Sequence, residues 1–202
     1  WADHRVLGST LVPASAFLEM AARGFSALHG QDWTTVTLKN VSFERPLVLI
    51  YGKPKTVRLT LDNFSQHANV EATFTVSVAG GDNGNGKLET FCRGRIELLA
   101  GEPQHVSLDA ELARREAAMH IGGFYGELRN GGLEYGASFA TVRELWKGAP
   151  GSGEAIGRVA ATPFEETSAE HPFVSTVQLD GCFHVCGGAL DTLSDGRSQG
   201  AF

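Results

Sequence analysis

The chain predicts an α+β fold in which two long helices, one near each end, each accompany a set of antiparallel strands. Three observations carry that expectation. An apolar stripe at helical spacing lies near the start, a run of alternating strands follows it, and a second helical stripe closes the described pattern near the end. At 202 residues the chain is long enough for one large domain, or two small similar ones, around a substantial core.

The first stripe runs from Pro13 to about Leu28. Ala14, Phe17, Leu18, Ala21, Phe25 and Leu28 recur at three- and four-residue intervals, while Glu19 and Arg23 pair four residues apart on the far face. Pro13 suits the first helical turn, where its missing N–H costs nothing, and Gly30 is the expected stop. Phe17, Leu18, Ala21 and Phe25 are expected to pack under strands carrying Leu59, Phe74 and Val76. The segment TVTLKNVSFERPL (35–47) is strand-like, but its apolar phase shifts between Leu38 and Val41, which predicts a bulge. Val57, Leu59 and Leu61 alternate, as do Val70, Ala72, Phe74, Val76 and Val78. GGDNGNG (80–86) holds two Asn-Gly steps and predicts a hairpin turn, after which Leu88, Cys92, Ile96 and Leu98 share a face. Residues 100–118 are polar and charged and read as a linker. Beyond them come a short helix near 121–130, the glycine-rich NGGLEYGASF, strands near 139–147 and 154–161, and a helix over about 177–194. Leu179, Phe183, Cys186, Leu190 and Leu193 form the apolar face of that last helix.

Composition excludes several functions. Hydrophobic residues make up 42% and charged residues 20%, as in a folded chain. The net charge of −6 and the absence of a Lys/Arg run argue against nucleic acid and anionic membranes as partners. No apolar stretch approaches the roughly 20 residues that span a bilayer. The three cysteines are an odd number without secretory spacing, so reduced thiols and a cytoplasmic location are expected. Cys182, His184 and Cys186 suggest a metal cluster, but on a helix the two thiols share one face and the imidazole points away. No metal site is expected. His29, His67, His105, His120 and His171 lack a paired acid or ligand spacing and read as structural or surface residues.

Three motifs carry chemistry. In HRVLGSTLVP (4–13) a histidine stands four residues before a glycine and nine before a proline that opens a helix. In GLEYGASF (132–139) a Tyr-Gly pair precedes a phenylalanine. In LDGCFH (179–184) an aspartate lies four residues before a histidine, after an HPF element at 171–173. Taken alone, His4 could cap a loop and Asp180 could sit on a helix dipole. Together and in this order, the motifs resemble HxxxGxxxxP, GYxYGPxF and LDxxxQ/H of the dehydratase domains of modular polyketide synthases and related fatty acid synthases. Leu133 and Ala137 depart from the second motif, which bears on loop geometry and substrate range.

The resemblance implies a double hotdog, two tandem units in which a long helix is wrapped by an antiparallel sheet. It divides the chain into a first unit over 1–99 bearing His4, a linker over 100–118, and an incomplete second unit over 119–202 bearing Asp180. The fold would be truncated at both ends. A substrate tunnel would run between the units and bring His4 from one to Asp180 from the other. The implied reaction removes water from a β-hydroxyacyl thioester. His4 is the expected base and Asp180 the expected acid, since a carboxyl in apolar surroundings holds a proton to deliver. Gly8 is the expected donor to the thioester carbonyl, at a helix entry fixed by Pro13. His184 would orient Asp180 from one turn on, and Tyr135 and Gly136 would steady the site.

No cofactor or metal is implied, because the substrate arrives on the phosphopantetheine arm of an acyl carrier protein. Carrier protein and neighbouring synthase domains are the expected partners, in a homodimeric synthase. Other readings stay open: a double-bond isomerase or cyclic-ether-forming enzyme with the same dyad, an inactive dimerisation domain, and a hotdog thioesterase.

Overall fold

The computed structural model describes residues 1–29, 36–63, 70–79, 87–98, 106–115, 118–160 and 175–193. In chain order its elements are β1 (His4–Val6), β2 (Ser9–Thr10), α1 (Ala14–His29), β3 (Val36–Phe43), β4 (Val57–Asp62), β5 (Glu71–Ala79) and β6 (Leu88–Leu98). They continue with α2 (Leu108–Leu112), α3 (Ile121–Asn130), β7 (Leu133–Tyr135), β8 (Val142–Lys147), β9 (Ala155–Val159) and α4 (Thr176–Leu193). Contacts divide these into two units, one built on residues 9–102, the other gathering residues 2–8 with 103–202.

In the first unit α1 lies on an antiparallel sheet of order β3-β6-β5-β4. Phe17, Ala21 and Phe25 are buried from the helix against Phe74, Val76 and Ile96 from the sheet, with Leu59 and Leu61 packed at the margin. Leu18 is only half-buried and Leu28 is exposed, so the stripe is narrower than its sequence suggests. The ladder between β3 and β6 slips between Lys39 and Ser42, with Asn40 in the left-handed region at φ 51°. That is the predicted bulge, and it restores Phe43 to register with Cys92. Cys92 is buried in this core, and loss of solvent pushes its thiol up to about 11. β5 and β6 pair out to Ala79 and Leu88, while the turn expected at 80–86 lies outside the described residues, as does Gly30.

The second unit differs from expectation in four places. His4 belongs to it: rather than lying in a loop of the first unit, it sits on β1, which pairs antiparallel with β7. The linker contains α2, capped by Ser107, whose side chain accepts from the Ala110 N–H. Arg115, its side chain buried, ties this segment to Glu154 at 2.7 Å. The strand expected from residue 139 begins at Val142, because Phe139–Thr141 turns back on Gly136 through the Phe139 and Ala140 N–H groups. Finally, the apolar stripe of α4 does not face the core. Phe183, Leu190 and both cysteines of this helix are exposed. The face laid on the β8–β9 hairpin carries Thr176, Asp180, Gly181, His184 and Gly188. α4 begins with a reciprocal cap: the Gln178 N–H donates to Ser175 Oγ, and the Ser175 N–H donates to Gln178 Oε1. His120 caps α3, its Nδ1 accepting from the Gly123 N–H, which gives that histidine the structural place expected of it.

Candidate active site

His4 is aimed by the strand that carries it. β1 and β7 alternate in and out, and the register sets His4 directly opposite Tyr135. His4 is 7% exposed while Arg5 beside it faces solvent. A clasp at each end holds the strand. At one end Leu7 and Gly8 turn the chain with positive φ of 48° and 77°, and the Leu7 N–H donates to the Gly132 carbonyl at 2.7 Å. At the other, Asp3 accepts from the N–H and the hydroxyl of Ser138 at 3.0 and 2.7 Å, which holds its carboxyl below the usual range. The Gly136 N–H donates to the Asp3 carbonyl at 2.8 Å. A Cβ at Gly136 would collide with the Asp3 carboxyl, so the glycine is what lets the two segments close. The Phe139 ring stands edge-on to the imidazole at 5.2 Å.

Asp180 and His184 come from the buried face of α4, one turn apart. Gly181 makes their approach feasible, since a Cβ there would strike Thr141 and Val159 on the hairpin. Asp180 Oδ1 lies 3.9 Å from His4 Nε2, and its Oδ2 lies 3.0 Å from His184 Nε2. The first separation exceeds a hydrogen bond. The second is a close approach between two buried atoms, within the reach of one. Two carboxylate oxygens thus face two different imidazoles, all three side chains at least nine-tenths buried.

Two tyrosines line this group. Tyr135 lies against the His184 ring at 3.9 Å between centroids and 5.5 Å from His4. Burial, and after it the negative charge of Asp180, pushes its phenol well above the usual range, so it is a poor proton donor to a leaving group. Tyr125, on α3, accepts from the Val142 N–H at 3.0 Å and reaches His184 Nδ1 at 3.2 Å. Sequence reasoning gave no role to Tyr125, Asp3, Ser138 or Phe139, although Ser138 and Phe139 lie in a motif already singled out.

The remaining expected residues fall elsewhere. The Gly8 N–H, expected to meet a substrate carbonyl, donates to Glu134 Oε1 at 3.1 Å on the exposed side of β7. Pro13 is fully buried at the head of α1 in the first unit, its carbonyl accepting from the Ala16 N–H. Cys182 and Cys186 face outward while His184 is buried, so the three side chains do not converge. His67, His105 and the HPF element lie outside the described residues.

A buried carboxyl with one imidazole 3.9 Å from one oxygen and another 3.0 Å from the other is an arrangement capable of acid–base chemistry, and comparison with known proteins places the chain in a family. The model for the polyketide synthase dehydratase domain matches residues 1–79, and that for the polyketide synthase dehydratase N-terminal domain matches residues 103–201. The chain belongs to the polyketide synthase dehydratase family, and its fold is the double hotdog.

Among its relatives is the low-reducing polyketide synthase drtA of Aspergillus calidoustus, 29% identical over 195 residues, covering 90% of this chain and 8% of that protein. Another is the polyketide synthase PksM of Bacillus subtilis, 22% identical over 93% of this chain and 4% of that protein. Among solved structures, the dehydratase domain from the CurF module of the curacin polyketide synthase is 27% identical, with a TM-score of 0.76 over 93% of this chain and 65% of that one. A dehydratase domain of a trans-AT polyketide synthase from Brevibacillus brevis reaches a TM-score of 0.77 at 22% identity, over 97% of this chain and 66% of that one. The chain therefore spans about two thirds of these solved domains and under a tenth of the curated relatives, which are large synthases. Among the described residues no helix is long and apolar enough to cross a membrane.

Proposed function

We propose that the chain dehydrates a β-hydroxyacyl thioester carried on an acyl carrier protein, with His4 as base and Asp180 as acid. The observation that carries this reading is the 3.9 Å between His4 Nε2 and Asp180 Oδ1, in a buried setting where His184 occupies the other carboxylate oxygen. That separation leaves no room for carbon atoms between the two groups. The substrate must lie across both, presenting its α-hydrogen to the imidazole and its β-hydroxyl to the carboxyl from one side. Hydrogen and hydroxyl then leave from the same face.

The proton balance closes within the pair. Neutral His4 takes the α-proton, the C–O bond breaks as protonated Asp180 gives its proton to the hydroxyl, and water departs. His4 is left charged and Asp180 ionised 3.9 Å away, so one proton passed between them resets the site. The chemistry asks for no metal or organic cofactor. A substrate carbonyl that takes the Gly8 N–H must displace Glu134, so this donor becomes available only when that exposed side chain swings away.

The test incubates the chain with (3R)- and (3S)-hydroxyacyl pantetheine thioesters and follows the product by mass, with a thiol-reactive dye in parallel. Loss of one water with no free thiol supports a dehydratase. Free thiol and free acid would mark a thioesterase, and loss of one water with the double bond found by NMR at the β,γ rather than the α,β position would mark an isomerising enzyme.

A further inference from the structure

Tyr125 is a group that the reaction scheme does not use, yet its hydroxyl meets His184 on the side away from Asp180. Its oxygen accepts from the Val142 N–H at 3.0 Å and lies 3.2 Å from His184 Nδ1. We infer that Tyr125 fixes the tautomer of His184, and through it decides which oxygen of Asp180 carries the acid proton. It is a positioning residue, and the inference rests on the reading of Asp180 as the acid.

The argument is a count of protons. A backbone amide only donates, so Val142 takes one lone pair of the Tyr125 oxygen. Burial raises the phenol's pKa, and its single proton has Nδ1 of His184 within reach. If Nδ1 accepts, a neutral ring carries its proton on Nε2, 3.0 Å from Asp180 Oδ2. That oxygen then faces a donor, and the carboxyl's own proton belongs on Oδ1, the oxygen turned to His4. The other tautomer would let Nδ1–H donate to the second lone pair of the Tyr125 oxygen, and the buried phenol proton would lose its acceptor on His184. That tautomer would leave a bare Nε2 beside Oδ2, drawing the acid proton to the side where no substrate can use it. Tyr125 thus acts on catalysis through two intermediaries, at the depth of the site where an unmade hydrogen bond is most costly.

The experiment labels the 202-residue chain with ¹⁵N-histidine and records long-range ¹H–¹⁵N spectra at neutral pH, the His184 signals being assigned by their loss in His184→Gln. The account expects a protonated Nε2 and a bare Nδ1, with Tyr125→Phe moving the proton wholly or partly to Nδ1. A protonated Nδ1 in the parent, a doubly protonated ring, or a tautomer unmoved by Tyr125→Phe would overturn it. Should Tyr125→Phe fail to fold, the parent spectrum decides alone between the same two tautomers.

Kinetics add a second readout. Tyr125→Phe should slow dehydration about tenfold when residue 184 is histidine. In a His184→Gln background it should slow it by less than about threefold, because an amide has no tautomers to choose between. Equal losses in both backgrounds would reduce Tyr125 to a packing role. A parent without dehydratase activity would sink the functional reading and leave the tautomer result standing.

Discussion

Two helices of similar length are put to opposite uses in this chain. α1 buries large apolar side chains, Phe17 and Phe25 with Ala21 and Ala22, on a four-stranded sheet. α4 turns Asp180, His184 and two glycines toward a two-stranded hairpin and leaves Phe183 and Leu190 in solvent. The difference teaches that a helix face can be selected for chemistry at the expense of cohesion. Around α4 the close approach is secured by absent side chains, at Gly181 and Gly188, and it brings the Asp180 carboxyl between two imidazoles.

That contrast orders the effects of substitution. Phe25→Ala should cost about 3–5 kcal/mol, because it removes a fully buried ring from the core. A melting temperature within a degree or two of the parent would show that the α1 core is not what holds the first unit. Gly181→Ala should cost roughly 1–3 kcal/mol, since the added methyl must push α4 off Thr141 and Val159. Its signature is a fall in dehydration rate beyond what the lost stability explains, as Asp180 moves with the helix. A stable variant with the parent rate would break the claim that this notch sets the acid's position. Phe183→Ser should cost about 1 kcal/mol in urea unfolding of the 202-residue chain, well below Phe25→Ala, because the ring is already 38% exposed. A loss of several kcal/mol would mean that the outward face of α4 is covered after all.

The sequence was most readable where local pattern and tertiary role coincide. Alternation located β4, β5 and β6, and the phase shift near Asn40 located the bulge, because a sheet with one buried face cannot hide its period. β1 was not legible as a strand: three residues are too few to show alternation, and its partner lies about 130 positions away. The stripe on α4 was read correctly as apolar, but periodicity says that a face is apolar and not that anything covers it. His4 and Asp180 were singled out by motif and lie side by side, whereas Tyr125 stayed hidden. An aromatic in an amphipathic helix looks like core from sequence, and only its hydroxyl's two partners distinguish it.

The central claim is that Asp180 supplies a proton from the oxygen facing His4. Asp180→Asn tests it most directly, because the amide keeps the shape of the carboxyl and its contact with His184 but holds no transferable proton. The measurement is the rate of water loss from a (3R)-hydroxyacyl pantetheine thioester by mass, on variant protein whose circular dichroism and melting curve match the parent. The account predicts a rate lower by about 10²–10⁴ with thioester binding retained. Dehydration at the parent rate by correctly folded Asp180→Asn would contradict it.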